Sequence, residues 1–304
     1  MVKVYFNILH YNSFKATDMC VSSLLKLEGI EECKILIFDN CSTNDSLIQL
    51  KDKYGNTANI VFYANDGNDG FSCGNNKAYL LAKKENPDFI IALNNDIEIR
   101  QKNFIAKLYE IYKENPVYLI GPDVYCPKAR AHQSPMQKSE MSLQEVDEQI
   151  KRIRNMDPQR ILKDFEHRKK TQKFRKFIPY WMLQLREKLK HKEVDNSYKS
   201  KRLFDTVLQG SAIIATPLYI EKEDKLFEPD TKFYCEEHLL ALKCRTLKYK
   251  TLYSCRLKVI HWHGISSGFE SIPTLEQIQT KNDRLIKAYT IYRETLLNNP
   301  WKND

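Results

Sequence analysis

No stretch of this 304-residue sequence approaches the ~20 consecutive apolar residues that a membrane-spanning helix needs. The opening Met1-Val2-Lys3-Val4-Tyr5-Phe6 lacks the charged, apolar and small-residue zones of a secretory leader and runs straight into strand-like sequence. Both absences predict a cytoplasmic protein. Cys-x-x-Cys is missing as well. The eight cysteines stand at 20, 33, 41, 73, 126, 235, 244 and 255 and repeat no spacing, which argues against a disulfide framework and for free thiols in a reducing compartment. Cys244, Cys255, His261 and His263 follow no zinc-site spacing. There is no internal repeat and no low-complexity tract, and an apolar fraction of 42% is enough to bury a core.

Charge is spread unevenly. Of the net +9, residues 128–202 hold 21 Lys/Arg against 10 Asp/Glu, a net of +11, while the remainder holds 27 against 29, a net of −2. An almost neutral body therefore carries one basic segment. Residues 128–205 are poor in glycine and predict helices over 144–154 and 159–170. A third helix opens at Pro179, a good first helical position, with Trp181, Met182, Leu185 and Leu189 sharing its apolar face.

Residues 1–127 alternate two periodicities. Apolar runs predict strands over 2–9, 34–38, 59–63, 89–93 and 117–121, and helical spacing predicts helices over 17–27, 45–54, 75–84 and 103–114. Repeated βαβ units of this size predict an α/β fold, Rossmann-like, with a mainly parallel central sheet and helices on both faces. After residue 205, strand signals return over 204–215 and 257–261, with a helix over 235–245 and one or two closing helices over 273–297. Ligands of such sheets sit outside the carboxyl ends of the strands. Polar clusters follow three of these strands: Tyr11-Asn12, Asp39-Asn40 and Asn94-Asn95-Asp96. Each alone is also a good turn. Three at one sheet edge point to a binding crevice.

Several blocks in order resemble a known family. Tyr11-Asn12 is similar to a T-Y-N turn after the first strand. Phe38-Asp39-Asn40-Cys41-Ser42-Thr43-Asn44-Asp45-Ser46 resembles V-D-N-x-S-T-D-x-S, and Asn68-Asp69-Gly70-Phe71-Ser72-Cys73-Gly74-Asn75-Asn76 resembles N-x-G-F-x-x-G-N-N. Leu93-Asn94-Asn95-Asp96 stands in place of L-N-P-D, and the block from Phe233 through Glu236-Glu237 resembles F-x-Y-x-E-D-x-x-L. The set resembles the inverting family 2 glycosyltransferases with a GT-A fold, in particular the rhamnosyltransferase-like branch that builds bacterial surface polysaccharides. The resemblance implies one GT-A domain over 1–304, with a nucleotide-sugar-binding half (1–127), a mostly helical basic insertion (128–205) and an acceptor and catalytic half (206–304). The donor would be a UDP- or dTDP-sugar, and the acceptor a lipid-linked saccharide.

The chemistry such a transfer requires can be laid on these residues. A departing diphosphate must be neutralised, and a divalent cation held by oxygen donors does this as a Lewis acid, which suits Mn²⁺ or Mg²⁺. By resemblance Asp96 is the direct ligand, Asn94 a helper and Asn95 a neighbour in the donor site. His261 and His263, alternating on one strand face, are further metal or diphosphate candidates, with packing as the other use. Asp39 can accept from the N3–H of uracil or thymine, or cap the following helix. Asn68, Gly70, Phe71, Gly74 and Asn75 offer a flexible loop and a helix N-terminus whose N–H groups can face a diphosphate. The pattern is not G-x-G-x-x-G, which disfavours a dinucleotide fold. Gly210 is counted with the donor-binding residues, and His132-Gln133-Ser134-Pro135 with the sugar or acceptor pocket. Glu237, at the family's catalytic Asp, or Glu236 beside it, is the base that takes the proton of the attacking hydroxyl; an exposed acidic pair is the plain alternative.

The basic segment suits the inner face of the plasma membrane, where each Lys/Arg contributes about 1 kcal/mol of attraction to an anionic leaflet. A solvated helical subdomain, or a contact between copies in a homo-oligomer, is its other use. Two other classes compete. A nucleic-acid-binding protein would exploit the local charge, but no recognition motif supports nucleic acid as a partner. A nucleotidylyltransferase would open with a glycine-rich basic loop, and His10-Tyr11-Asn12-Ser13-Phe14-Lys15 has no glycine.

Overall fold

A computed structural model describes residues 2–175, 201–228, 231–262 and 272–303. Strand β1 (Val4–His10) is buried along nearly its whole length, as an apolar run covered on both faces must be. Helix α1 (Phe14–Leu24), β2 (Lys34–Asp39), α2 (Ser46–Tyr54), β3 (Ile60–Ala64), α3 (Gly70–Lys83) and β4 (Phe89–Asn94) follow. Their strands pair in the order β3-β2-β1-β4, all parallel. The winding reverses between β1 and β4, which opens a crevice at their carboxyl ends.

The chain continues through β5 (Ile97–Glu98), α4 (Phe104–Glu114), β6 (Leu119–Cys126), β7 (Ala131–His132), α5 (Leu143–Arg154), α6 (Pro158–Arg175) and β8 (Leu203–Phe204). It closes with β9 (Ala212–Ala215), α7 (Pro217–Lys222), α8 (Glu236–Thr246), β10 (Thr251–His261) and α9 (Leu275–Asn298). The sheet extends past β4 as β9-β6-β10-β5. Strand β9 is antiparallel to both neighbours, β6 and β10 run parallel, and β5 pairs antiparallel with the end of β10.

Alternation along β1 divides the core. Val4, Phe6 and Ile8 pack with Val21 and Leu24 of α1 and Leu108 of α4 on one face. Tyr5 turns to the other, with Tyr79 of α3 and Tyr219 of α7. Burying each large apolar side chain contributes about 1.5–3 kcal/mol. A third cluster joins α5, α8 and α9 through Val146, Ile150, Leu239, Leu242, Ala288 and Tyr292. Capping boxes start two of these helices, Ser142 with Glu145 in α5 and Thr274 with Gln277 in α9.

Several elements depart from the sequence expectation. Helix α3 starts at Gly70 rather than near 75, α1 starts at 14, and β6 and β10 are longer than the apolar runs suggested. The stretch 204–215 is two short strands around a turn, and the closing segment is one helix. The expected amphipathic helix at 179–189 lies outside the described residues. Among the described residues no helix is long and apolar enough to cross a membrane.

Candidate active site

The crevice at the β1/β4 carboxyl ends is framed by a buried polar network. His10 is fully buried. Its Nδ1 bonds Thr17 Oγ1 at 2.6 Å and its Nε2 bonds Ser46 Oγ at 2.9 Å, 3.9 Å from Asp39 Oδ1. Burial pushes its pKa down, so the ring stays neutral. Asn95 Nδ2 donates to the same Thr17 hydroxyl at 3.2 Å. Asn95 is thus turned into the scaffold, where it ties the β4 turn to α1. This bond satisfies part of the buried Asn95 amide within the scaffold.

Asp39 is buried at the end of β2. Ser42 N–H donates to its two oxygens at 3.3 and 3.1 Å, and the Ser42 hydroxyl also donates to Oδ1. The carboxylate therefore closes its own turn, and its remaining lone pairs are what it offers a base. Asn12, at φ 54°, accepts from Thr43 N–H at 2.7 Å while its carbonyl accepts from Asn44 Nδ2 at 2.9 Å. It serves as the pin of the 42–44 loop. Tyr11 beside it is exposed at the crevice edge.

The loop before α3 also has a joining role. Asn68 Oδ1 accepts from Gly70 N–H at 3.0 Å and from Asn40 Nδ2 at 3.2 Å. Phe71 N–H donates to Lys232 O at 3.0 Å. Two of the N–H groups expected to face a diphosphate are thus satisfied within the chain. Gly70 has φ +86°, and a Cβ there would lie 2.4 Å from Lys232 Cγ and 2.5 Å from Lys232 O. Only glycine lets the 231–233 segment lie over the start of α3. Gly74 is packed on Leu9 of β1, and Asn75 donates to Phe71 O at 3.0 Å within the helix.

Asp96 is buried, and β5 explains its company. The pairing His261↔Ile97 and the bond from Trp262 N–H to Asp96 O at 3.0 Å lay the end of β10 against the turn after β4. His261 Nε2 then stands 3.2 Å from Asp96 Oδ1, and His261 Nδ1 stands 2.7 Å from Gln133 Oε1. An amide oxygen only accepts, so Nδ1 carries the hydrogen and a neutral ring turns its Nε2 lone pair toward the carboxylate. A proton or a cation between them completes the pair. A nitrogen and a carboxylate oxygen suit Mn²⁺ or Mg²⁺, with substrate phosphates and water filling the remaining positions. No cluster of three or more His, Cys, Asp or Glu residues exists among the described residues. His263 lies outside them.

The candidate base lies across the sheet edge. Asn94 N–H donates to Ser211 O at 2.9 Å, which brings β4 to the turn before β9. Around this junction opens a cavity of about 330 Å³, walled by Asn94, Phe71, Gly210, Glu236, Glu237 and Tyr289 among others. Gly210 N–H donates to Glu237 Oε1 at 3.2 Å, and a Cβ on Gly210 would meet that oxygen at 2.6 Å. Gly210 thus cradles the carboxylate. Burial pushes both carboxyls up, and for Glu236 the charge of Glu237 adds to it. The raised values hold protons on this pair to higher pH than on free carboxylates, and the form with Glu237 ionised is the one that can act as a base. The pair follows two left-handed residues, Tyr234 at φ 74° and Cys235 at φ 63°, a strained entry to α8.

Two residues of the site, Ser211 and His238, were not singled out from the sequence. Gln133 fixes the His261 tautomer, whereas its neighbour His132 bonds Asp123 at 2.7 Å. Ser211 Oγ and His238 Nδ1, on cavity-lining residues, are buried without a hydrogen-bond partner. Burial lowers the His238 pKa to about 4. Only the unusual density of polar residues beside Gly210 and Glu237 hinted at them.

Comparison with known proteins bears on this arrangement. The profile described as "Glycosyl transferase family 2" matches residues 7–191. Among solved structures, S. aureus TarS 1–349 is similar with a TM-score of 0.53 at 15% identity, covering 95% of this chain and 71% of that one. The same protein in complex with UDP gives 0.52 at 16%, covering 95% and 65%. A further S. aureus TarS structure gives 0.50 at 16% over 83% of this chain, which spans 35% of its length. At such identities the likeness is one of fold. No curated protein matches the chain.

Proposed function

The chain belongs to glycosyl transferase family 2 and has its GT-A fold, and from that premise we propose that it is a metal-dependent inverting transferase, using a UDP- or dTDP-sugar to extend a lipid-linked saccharide of the rhamnosyltransferase-like, surface-polysaccharide kind. The observation that carries the reading is the shared cavity of Asn94, Gly210 and Glu237, two residues from Asp96 and its His261 partner. Asp39 and Tyr11 would receive the base, and the UDP-bound neighbour makes uridine the first base to test.

In this reading Glu237 accepts the proton of the acceptor hydroxyl as that oxygen attacks the anomeric carbon. The bond from that carbon to the diphosphate breaks on the opposite face, so configuration inverts. Asp96 and His261 would hold a divalent ion, which would supply the positive charge that the leaving diphosphate needs. Glu236, with its pKa raised to about 8, stays protonated beside Glu237. Gly210 aims Glu237, and Gln133 aims His261. The basic segment 128–202 would hold the enzyme at an anionic membrane, at about 1 kcal/mol per basic residue near the surface.

Thermal-shift titration with UDP-, dTDP- and GDP-sugars and Mn²⁺ tests the donor, and UDP release tests turnover. Stabilisation by a nucleotide sugar only with metal supports the reading. Equal response with and without metal, or full turnover in Glu237→Gln together with Glu236→Gln, refutes it.

A further inference from the structure

Behind the ring of Phe233 lies a second, smaller pocket of about 30 Å³. Phe233 also lines the catalytic cavity, so the two spaces share a wall. Helix α9 serves both: Leu285 and Tyr289 face the catalytic cavity, and Arg284 and Lys287 face the small pocket. Lys232 and Thr231 complete its polar lining, and among the described residues no carboxylate belongs to it.

Three cations lining one pocket repel one another, an arrangement that an anion relieves; the Asp69 carboxylate, outside the pocket, feels the charge of Lys232. Among the described residues none of Lys232, Arg284 and Lys287 forms an ion pair; Arg284 rests on the Phe233 ring, 5.1 Å from its centroid. A second observation points the same way. Thr231 is 1% exposed and its hydroxyl has no hydrogen-bond partner, a state that costs free energy unless a ligand or water completes it. The segment is also fixed in place, because Phe71 N–H holds Lys232 O at 3.0 Å over Gly70.

We propose that this pocket binds a phosphate group of the acceptor, so that the acceptor is a phosphate-bearing saccharide whose hydroxyl reaches Glu237 from the Phe233 side. The inference rests on the transferase reading for the catalytic cavity. Three cations match the charge of a phosphate, and an arginine beside lysines offers it both a fork and point charges. The donor diphosphate has its own place beside Asp96 and His261.

The test is calorimetric titration of inorganic phosphate into the full chain saturated with UDP and Mg²⁺. A phosphate site should persist with UDP bound. In Arg284→Gln and in Lys287→Gln it should weaken about tenfold or more, the loss of one charge-assisted hydrogen bond. UDP affinity should stay unchanged in both, and Lys281→Gln, on the same helix outside the pocket, should leave phosphate binding intact. No phosphate binding beside UDP, or equal weakening in Lys281→Gln, overturns the proposal. So does a loss of UDP affinity in Arg284→Gln, which would give the cations to the donor. Phosphatidylglycerol vesicles separate the remaining source. If Arg284→Gln loses vesicle binding but keeps free phosphate, the patch is a headgroup contact and the proposal fails. If UDP does not bind at all, the transferase reading fails by itself, and phosphate titration of the ligand-free chain still decides the pocket.

Discussion

Replacing Gly210 by alanine adds one methyl group at the point where the chain holds its candidate base. The new Cβ would stand 2.6 Å from Glu237 Oε1, 3.0 Å from Cδ and 3.1 Å from Cγ. No side-chain atom tolerates such an approach, so the carboxylate must swing away and give up the 3.2 Å bond from Gly210 N–H. A displaced rotamer costs about 0.5–1.5 kcal/mol. A lost hydrogen bond to a charged group costs about 1.5–3 kcal/mol. Together that is about 2–4.5 kcal/mol, and at 1.36 kcal/mol per decade it predicts a fall in turnover of about 30- to 2,000-fold. The same N–H lowers the Glu237 pKa. Without it the pKa rises further, and since the base works deprotonated, the acid limb of the rate profile should move to higher pH. The assay is UDP release from a UDP-sugar with Mn²⁺ across pH, with UDP affinity measured separately. Wild-type turnover in Gly210→Ala would refute the cradle. So would a loss carried entirely by UDP affinity, or an acid limb that stays in place.

Three further outcomes follow from the same geometry. Asp96→Asn should abolish the metal-dependent part of UDP binding while leaving the melting temperature near wild type; retained metal dependence would move the ion elsewhere. Gln133→Leu should leave His261 Nδ1–H unpaired and raise the Mn²⁺ needed for half-maximal UDP binding about 10- to 100-fold, the usual cost of losing a partner behind a metal ligand. Both Glu236 and Glu237 have folded pKa values raised above the unfolded ones. The stability they contribute is therefore complete below the ordinary carboxylate range and is lost as pH rises through the raised values. Glu236→Gln should accordingly melt higher than wild type at pH 8, with the gap closing toward pH 4, and a constant gap across that range would contradict the shift.

The sequence displayed the parallel half plainly, because β1, β2 and β4 are largely apolar runs buried along nearly their whole length, with Asp39 closing β2 and Asn94 closing β4. It hid what depends on distant pairing. Strand β5 is two residues long and exists because β10 lies beside it, so no periodicity could announce it. The first part of β10, Thr251-Leu252-Tyr253-Ser254-Cys255-Arg256, reads as mixed sequence, yet it pairs with β6. Helix α3 hid its first turn for a different reason: Gly70 and Gly74 are poor helix formers, and both stand there because another chain segment approaches too closely for a side chain. In the site, Asp39, Asp96 and Glu237 were legible as carboxylates at element ends. The groups that hold the site were less so: Gly210 lies far along the chain from Glu237, and Gln133 acts on Asp96 only through His261. Asn95 looked like its neighbours Asn94 and Asp96 and differs only in the face of the turn it occupies.

The splint between β5 and β10 also bears on how the protein is made. Trp262 bonds Glu98 at 2.8 Å across 164 residues of sequence, and the same splint brings His261 to Asp96. The strands β1 to β4 emerge from the ribosome first and can pair with one another, but a chain halted before residue 261 holds Asp96 without its histidine. An unfinished polypeptide can therefore hold strands β1 to β4 and still lack the Asp96–His261 pair.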